Sequence, residues 1–133
     1  MTQAGSLDTN VILRALLNDI PEQNQAALRL LGSTDGQFAV ADIALVEVGF
    51  ALERFYHFSR TQIAEVIIGF TLQPQISCNR ILFDRALAIF QSHPALSLED
   101  CCLAVYAELN SATPLYTFDK KLAKQVQSAT LLV

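Results

Sequence analysis

Long apolar stretches with helical spacing alternate along this chain with short apolar runs too brief for a helix. The chain opens with a weakly apolar start ending at Leu7, read as a first strand, then a helix over residues 10 to 17. That strand is the least β-like element, since "AGS" has no branched or aromatic side chain and glycine weakens a strand interior. It is retained because the topology needs it. Asp19-Ile20-Pro21-Glu22 offers an N-cap, a proline in the first turn and a glutamate three after the cap, so a second helix is expected to run to Gly32.

"QFAVA" at 37 to 41 is a short apolar run before "DIALVEVGFALERFYHF", read as one long helix. Ser59 and Gln62 form a capping box that opens "RTQIAEVIIGFTL". "PQISC" around 74 to 78 suits a strand, and Asn79 caps "RILFDRALAIFQ". Ser97 opens "LEDCCLAVYAELN", Pro114 starts a short strand "LYT", and "DKKLAKQV" is a last helix before the apolar end "ATLLV". Short strands separated by helices predict an α/β/α sandwich, Rossmann-like, around a mostly parallel sheet.

Composition narrows this picture. A chain of 133 residues has the size of one domain, so residues 1–133 are read as a single unit. With 52% hydrophobic and 17% charged residues, several helices must be covered on more than one side, some of them by a partner subunit. No stretch is apolar for long enough to span a membrane and no signal segment opens the chain, which predicts a cytoplasmic protein. Cys78, Cys101 and Cys102 include a vicinal pair unable to form an ordinary disulfide, and His57 and His93 add no zinc-type spacing. The cysteines read as small apolar side chains in a reducing compartment. A net charge of -4 excludes a general nucleic-acid coat protein, because such binding depends on lysine and arginine neutralising phosphates.

Four carboxylates carry the candidate chemistry. Asp8, Asp100 and Asp119 stand at or near helix starts, where an aspartate ordinarily serves the orphan N–H groups. Asp8 and Asp119 also follow short apolar runs, and open α/β sheets bind ligands in the crevice outside the carboxyl ends of their strands. If those two strands are adjacent, the aspartates share a crevice. Ser97 is already an adequate cap, which leaves Asp100 at the third helical position only half explained.

Glu47 resists a structural explanation further. Ile43, Ala44, Phe50 and Ala51 surround it at helical spacing, so it is expected to be largely buried, with Arg54 its one distant ionic partner. Such a set of carboxylates needs a cation. An oxygen-rich site suits Mg²⁺ or Mn²⁺, which polarise a phosphodiester and lower the pKa of bound water. The metal would supply the positive charge that the acidic chain lacks, with Arg14, Lys120, Lys121 and Lys124 as a short basic rim for the backbone of a nucleic acid.

"LDTNVILRALLND", "ADIALVEVGFALER", "LSLEDCCLAVYAEL" and "LYTFDKKLAK" resemble the four signature blocks of PIN-domain ribonucleases. Their order and spacing are similar to VapC toxins of type II toxin–antitoxin modules, as are "DIPEQNQAALRLL" and "HFSRTQIAEVI" between the blocks. By this resemblance Asp8, Glu47, Asp100 and Asp119 match the acidic quartet that holds Mg²⁺ or Mn²⁺. Thr117 and Asn10 match supporting positions. The resemblance also implies endonucleolytic cleavage of RNA by a metal-activated water, homodimerisation, and a VapB-type antitoxin whose C-terminal tail occupies the acidic groove. The chain departs from the family pattern in "NSATPLY", which lacks a common glycine, in the cysteines of "LEDCC", and in the polar start "MTQAGS".

Two other classes fit part of the pattern. A haloacid-dehalogenase-type phosphatase would use an aspartate after the first strand as nucleophile, but its second aspartate, two positions on, is here Asn10. A receiver-like interaction module would bind a cation or a partner without cleavage, and it leaves Glu47 unexplained.

Overall fold

The computed structural model describes residues 3–133, which divide into two compact units, one running to Asn79 and one from Arg80 to Val133. The first unit contains β1 (Gln3–Ser6), α1 (Thr9–Leu16), α2 (Pro21–Leu31), β2 (Gln37–Ala39), α3 (Asp42–Arg54), α4 (Arg60–Thr71) and β3 (Ile76–Ser77). Its sheet has the order β1-β2-β3, and both ladders are parallel, with Ser6 beside Ala39 and Ala39 beside Ser77. Parallel neighbours require a crossover connection, and a pair of helices supplies each one.

The first strand forms despite its composition. Gly5 takes φ +148°, a conformation that L side chains rarely adopt, at a register shift between Gln3 and Gly5. Glycine is therefore what allows β1 to reach its register. The next residue anchors the strand end: Leu7 is buried and its N–H donates to the Ala39 carbonyl at 3.0 Å.

The second unit contains α5 (Arg80–Ser92), α6 (Leu98–Leu109), β4 (Leu115–Thr117), α7 (Lys120–Gln125) and β5 (Ala129–Leu131). Helices α5 and α6 pack together, and Phe83, Leu87, Phe90, Cys101 and Val105 are buried. Strand β5, within what the pattern shows only as an apolar end, pairs in parallel with β4. No disulfide forms among the described residues, and Cys101 and Cys102 are buried on α6.

Three expectations need correction. The long helix ends at Arg54 rather than continuing to Phe58, and His57 adopts φ 58° just beyond it. Asp19 does not cap α2: the cap is Ile20, without a side-chain bond, because Asp19 is engaged by Arg14 and Tyr56. Helix α3 is not covered all round. It buries Ala44, Leu45, Val48, Ala51 and Leu52 but turns Ile43, Glu47 and Phe50 outward, with Ile43 68% and Phe50 57% exposed. Positions 43, 47 and 50 share one helical face, so an exposed face keeps an unpaired carboxylate in water at the cost of exposing two apolar side chains.

This two-faced helix predicts unequal effects of truncation. Leu45→Ala, at a site with 0% exposure, should destabilise the protein by about 2–5 kcal/mol, whereas Ile43→Ala should change it by less than about 0.5 kcal/mol, both measured by urea unfolding.

Candidate functional site

Asp8 follows the buried Leu7 and occupies the N-cap of α1 with extended dihedrals, φ -85° and ψ 171°. Its Oδ1 accepts a hydrogen bond from the Val11 N–H at 3.0 Å. The capping role and the open oxygen coexist, since Oδ2 has no protein partner among the described residues. Thr9, the first residue of α1, donates its hydroxyl to Glu47 Oε2 at 3.1 Å. The bond ties the helix that Asp8 caps to the exposed face of α3, so the first unit brings Asp8 and Glu47 to neighbouring elements.

Asn10 lies beside two cavities on either side of α1. One, of about 500 Å³, is also lined by Thr9, Glu47, Phe50 and Tyr56. The other, of about 340 Å³, is lined by Asp8, Gln23 and Leu30. Arg14 borders both, but its charge is already engaged. It donates to Asp19 Oδ1 at 2.6 Å and to the Tyr56 hydroxyl at 3.0 Å, and that hydroxyl donates to Asp19 Oδ2 at 2.8 Å. Two charge-assisted bonds hold Asp19 more firmly than the single capping bond expected of it. The Tyr56 hydroxyl, and after it the Arg14 guanidinium, holds the Asp19 carboxyl below its ordinary value of 3.8, and Tyr56, followed by Asp19, raises the Arg14 guanidinium.

In the second unit Asp100 and Ser97 form a reciprocal capping box, Asp100 N–H to Ser97 Oγ at 3.0 Å and Ser97 N–H to Asp100 Oδ2 at 3.1 Å. The sequence pattern half explained Asp100 by capping. The box now accounts for one of its oxygens. Asp119 caps α7 through Oδ1, which accepts from Lys121 N–H at 2.9 Å and Leu122 N–H at 3.2 Å. The Thr117 hydroxyl in turn accepts the Asp119 N–H at 2.9 Å, fixing the turn between β4 and α7. Lys120, Lys121 and Lys124 are exposed and form no ion pair among the described residues.

Asp8 follows a strand of the β1-β2-β3 sheet in the first unit and Asp119 a strand of the β4-β5 sheet in the second. Among the described residues no group of three His, Cys, Asp or Glu side chains forms a metal-holding cluster. What the carboxylates share is chemical. No ion pair engages Asp8, Glu47, Asp100 or Asp119 among the described residues, and each keeps one oxygen outside the hydrogen bonds described. An all-oxygen donor set of this kind fits Mg²⁺ or Mn²⁺, and Mg²⁺ commonly uses one or two carboxylates with waters and substrate phosphates rather than an all-protein cage.

The PIN domain family model matches residues 6–126. The chain belongs to the PIN domain family. Its fold is therefore the family's three-layer α/β/α class, with which seven helices among the described residues and exclusively parallel ladders agree. PIN domains are in general metal-dependent nucleases, which supports a hydrolase acting on nucleic acid. No curated protein matches the chain. Among the described residues no helix is long and apolar enough to cross a membrane.

Reading the sequence missed three contributors to this PIN domain's groove. Thr9 carried a signal, a hydroxyl at the first helical position beside Asp8. Tyr56 and the outward Phe50 carried none, because their roles depend on contacts far along the chain.

The Asp19 pairing has a pH signature. Its native pKa lies below the unfolded value, so the stabilisation is fully present above the unfolded pKa and is lost as pH falls through the native one. Urea unfolding of the wild type should therefore weaken below roughly pH 4, and Asp19→Asn should show a shallower acid-side slope.

Proposed function

We propose that this chain is the toxin of a type II toxin–antitoxin module: a VapC-like, Mg²⁺- or Mn²⁺-dependent endoribonuclease acting as a single PIN-like domain over residues 1–133. The four signature blocks in order support the VapC reading. The observation that carries the chemistry is the set of carboxylates without cationic partners, Asp8, Glu47, Asp100 and Asp119, in an acidic chain whose family cleaves nucleic acid.

By the resemblance of the four signature blocks, Asp8, Glu47, Asp100 and Asp119 would be the residues that hold the cation and serve catalysis. When bound, Mg²⁺ or Mn²⁺ supplies a Lewis acid for the phosphodiester and a lowered pKa for the attacking water. The protein's own contribution is orientation. The Val11 amide of α1 fixes one oxygen of Asp8 and would leave the other for the metal, and the Thr9 hydroxyl fixes one oxygen of Glu47 in the same manner. Asn10 borders the groove next to them and Thr117 sets the turn that presents Asp119. Lys120 and Lys121 meet RNA phosphates, positioning the chain without reading its sequence. Arg14, another basic candidate for RNA contact, is bound to Asp19 and supports the groove wall.

In the same reading the protein would work in the cytoplasm as a homodimer that binds a VapB-type antitoxin, whose C-terminal tail would occupy the acidic groove. The exposed Ile43 on α3 is consistent with a surface that a protein partner covers.

The test is cleavage of RNA by the purified protein with Mg²⁺ or Mn²⁺. EDTA should abolish it, and Asp8→Asn and Glu47→Gln should each reduce the rate on the order of a thousandfold, since metal assistance contributes several kcal/mol to the barrier. Cleavage that persists through chelation and both substitutions overturns the reading.

A further inference from the structure

Phe50 and Phe55 stand edge to face, 6.2 Å between centroids at 84°, and both are largely exposed, 57% and 64%. The Arg54 guanidinium lies over both rings, 5.8 Å from the centroid of Phe50 and 5.9 Å from that of Phe55. It does not reach Glu47, and no carboxylate pairs with it among the described residues. Both rings line the 500 Å³ cavity that contains Glu47 and Asn10, and Phe50 is one helical turn beyond Glu47. The hydroxyl of Tyr56, held by Arg14 and Asp19, fixes the wall on that side.

We propose that this aromatic pair with Arg54 is a nucleobase-stacking subsite, which receives one unpaired base of a single-stranded RNA beside the carboxylate Glu47. The proposal rests on the ribonuclease reading above and names a part of its substrate site. An exposed ring or a guanidinium plane stacks on any base, and the uncompensated charge of Arg54 meets a flanking phosphate. Asn10 offers an amide donor and acceptor to the base edge.

The chemistry of the cavity distinguishes this occupant from an apolar protein helix. Such a helix would cover the rings but would also desolvate the Asn10 amide and the Glu47 carboxylate without returning hydrogen bonds. A nucleotide brings polar edges and a phosphate to the same place.

The experiment measures kcat/KM on short RNAs in Mg²⁺, each carrying one abasic nucleotide at a successive position around the cleavage site. The wild type should lose roughly tenfold at one flanking position, mainly through KM, as stacking contributions predict. Phe50→Leu and Phe55→Leu keep apolar bulk without a ring, and should reduce that abasic penalty to less than about threefold, while Phe50→Tyr retains it. Leucine variants that keep the full penalty overturn the subsite. A wild type that shows no abasic penalty at any position also overturns it. A wild type that cleaves no RNA at all overturns the ribonuclease reading, and the subsite with it.

Discussion

Backbone amides at the start of a helix hold one oxygen of Asp8 and of Asp119, and Asp100 is held at one oxygen by the amide of its own cap, Ser97. The first turn of a helix has N–H groups with no intrahelical partner, and a short carboxylate is the side chain that satisfies them at least conformational cost. The consequence is a carboxylate that is both fixed in direction and incompletely used. Glu47 reaches the same condition differently, through the Thr9 hydroxyl on the neighbouring helix. Capping occupies one oxygen of each aspartate and leaves the other open, so the structural role does not compete with the metal-binding role proposed for it.

The surroundings of Glu47 follow from the same constraint. A carboxylate without a cation cannot be buried cheaply, so α3 presents it to water, and the apolar residues that share its face come out with it. The result is a groove in which an acidic group, an amide and aromatic rings stand together. Arg14 does not neutralise that groove, because Asp19 and Tyr56 hold its guanidinium. The first unit therefore keeps its acidic character where the chain begins α1.

Local signals were readable in the sequence wherever one residue bonds to another three positions away. The Ser59–Gln62 capping box and the Ser97 and Asp8 caps are of this kind, and each sets a helix start, whereas the return bond from Ser97 N–H to Asp100 emerged only in the structure. Features that depend on distant partners were not readable. Asp19 had the sequence signature of a cap but was captured by Arg14 and Tyr56, the latter 37 residues away. Which side of α3 faces water is set by what packs against it, and an almost uniformly apolar helix carries little record of that. Strand β5 has three residues and exists only through its ladder with β4. The carboxylates themselves were evident as residue types in order, while the Thr9 bond to Glu47 and the aromatic groove emerged only in three dimensions.

The open oxygens of these carboxylates are proposed to bind a divalent cation, and metal binding can be read apart from catalysis. Titration of the protein with Mn²⁺, followed by the electron paramagnetic resonance signal of the free ion, tests it most directly. The wild type should withdraw Mn²⁺ from solution with a saturable stoichiometry, and Asp8→Asn, Glu47→Gln and Asp119→Asn should each weaken binding while remaining folded. Mn²⁺ binding identical in the wild type and in a chain carrying all three substitutions would show that these carboxylates do not hold the cation.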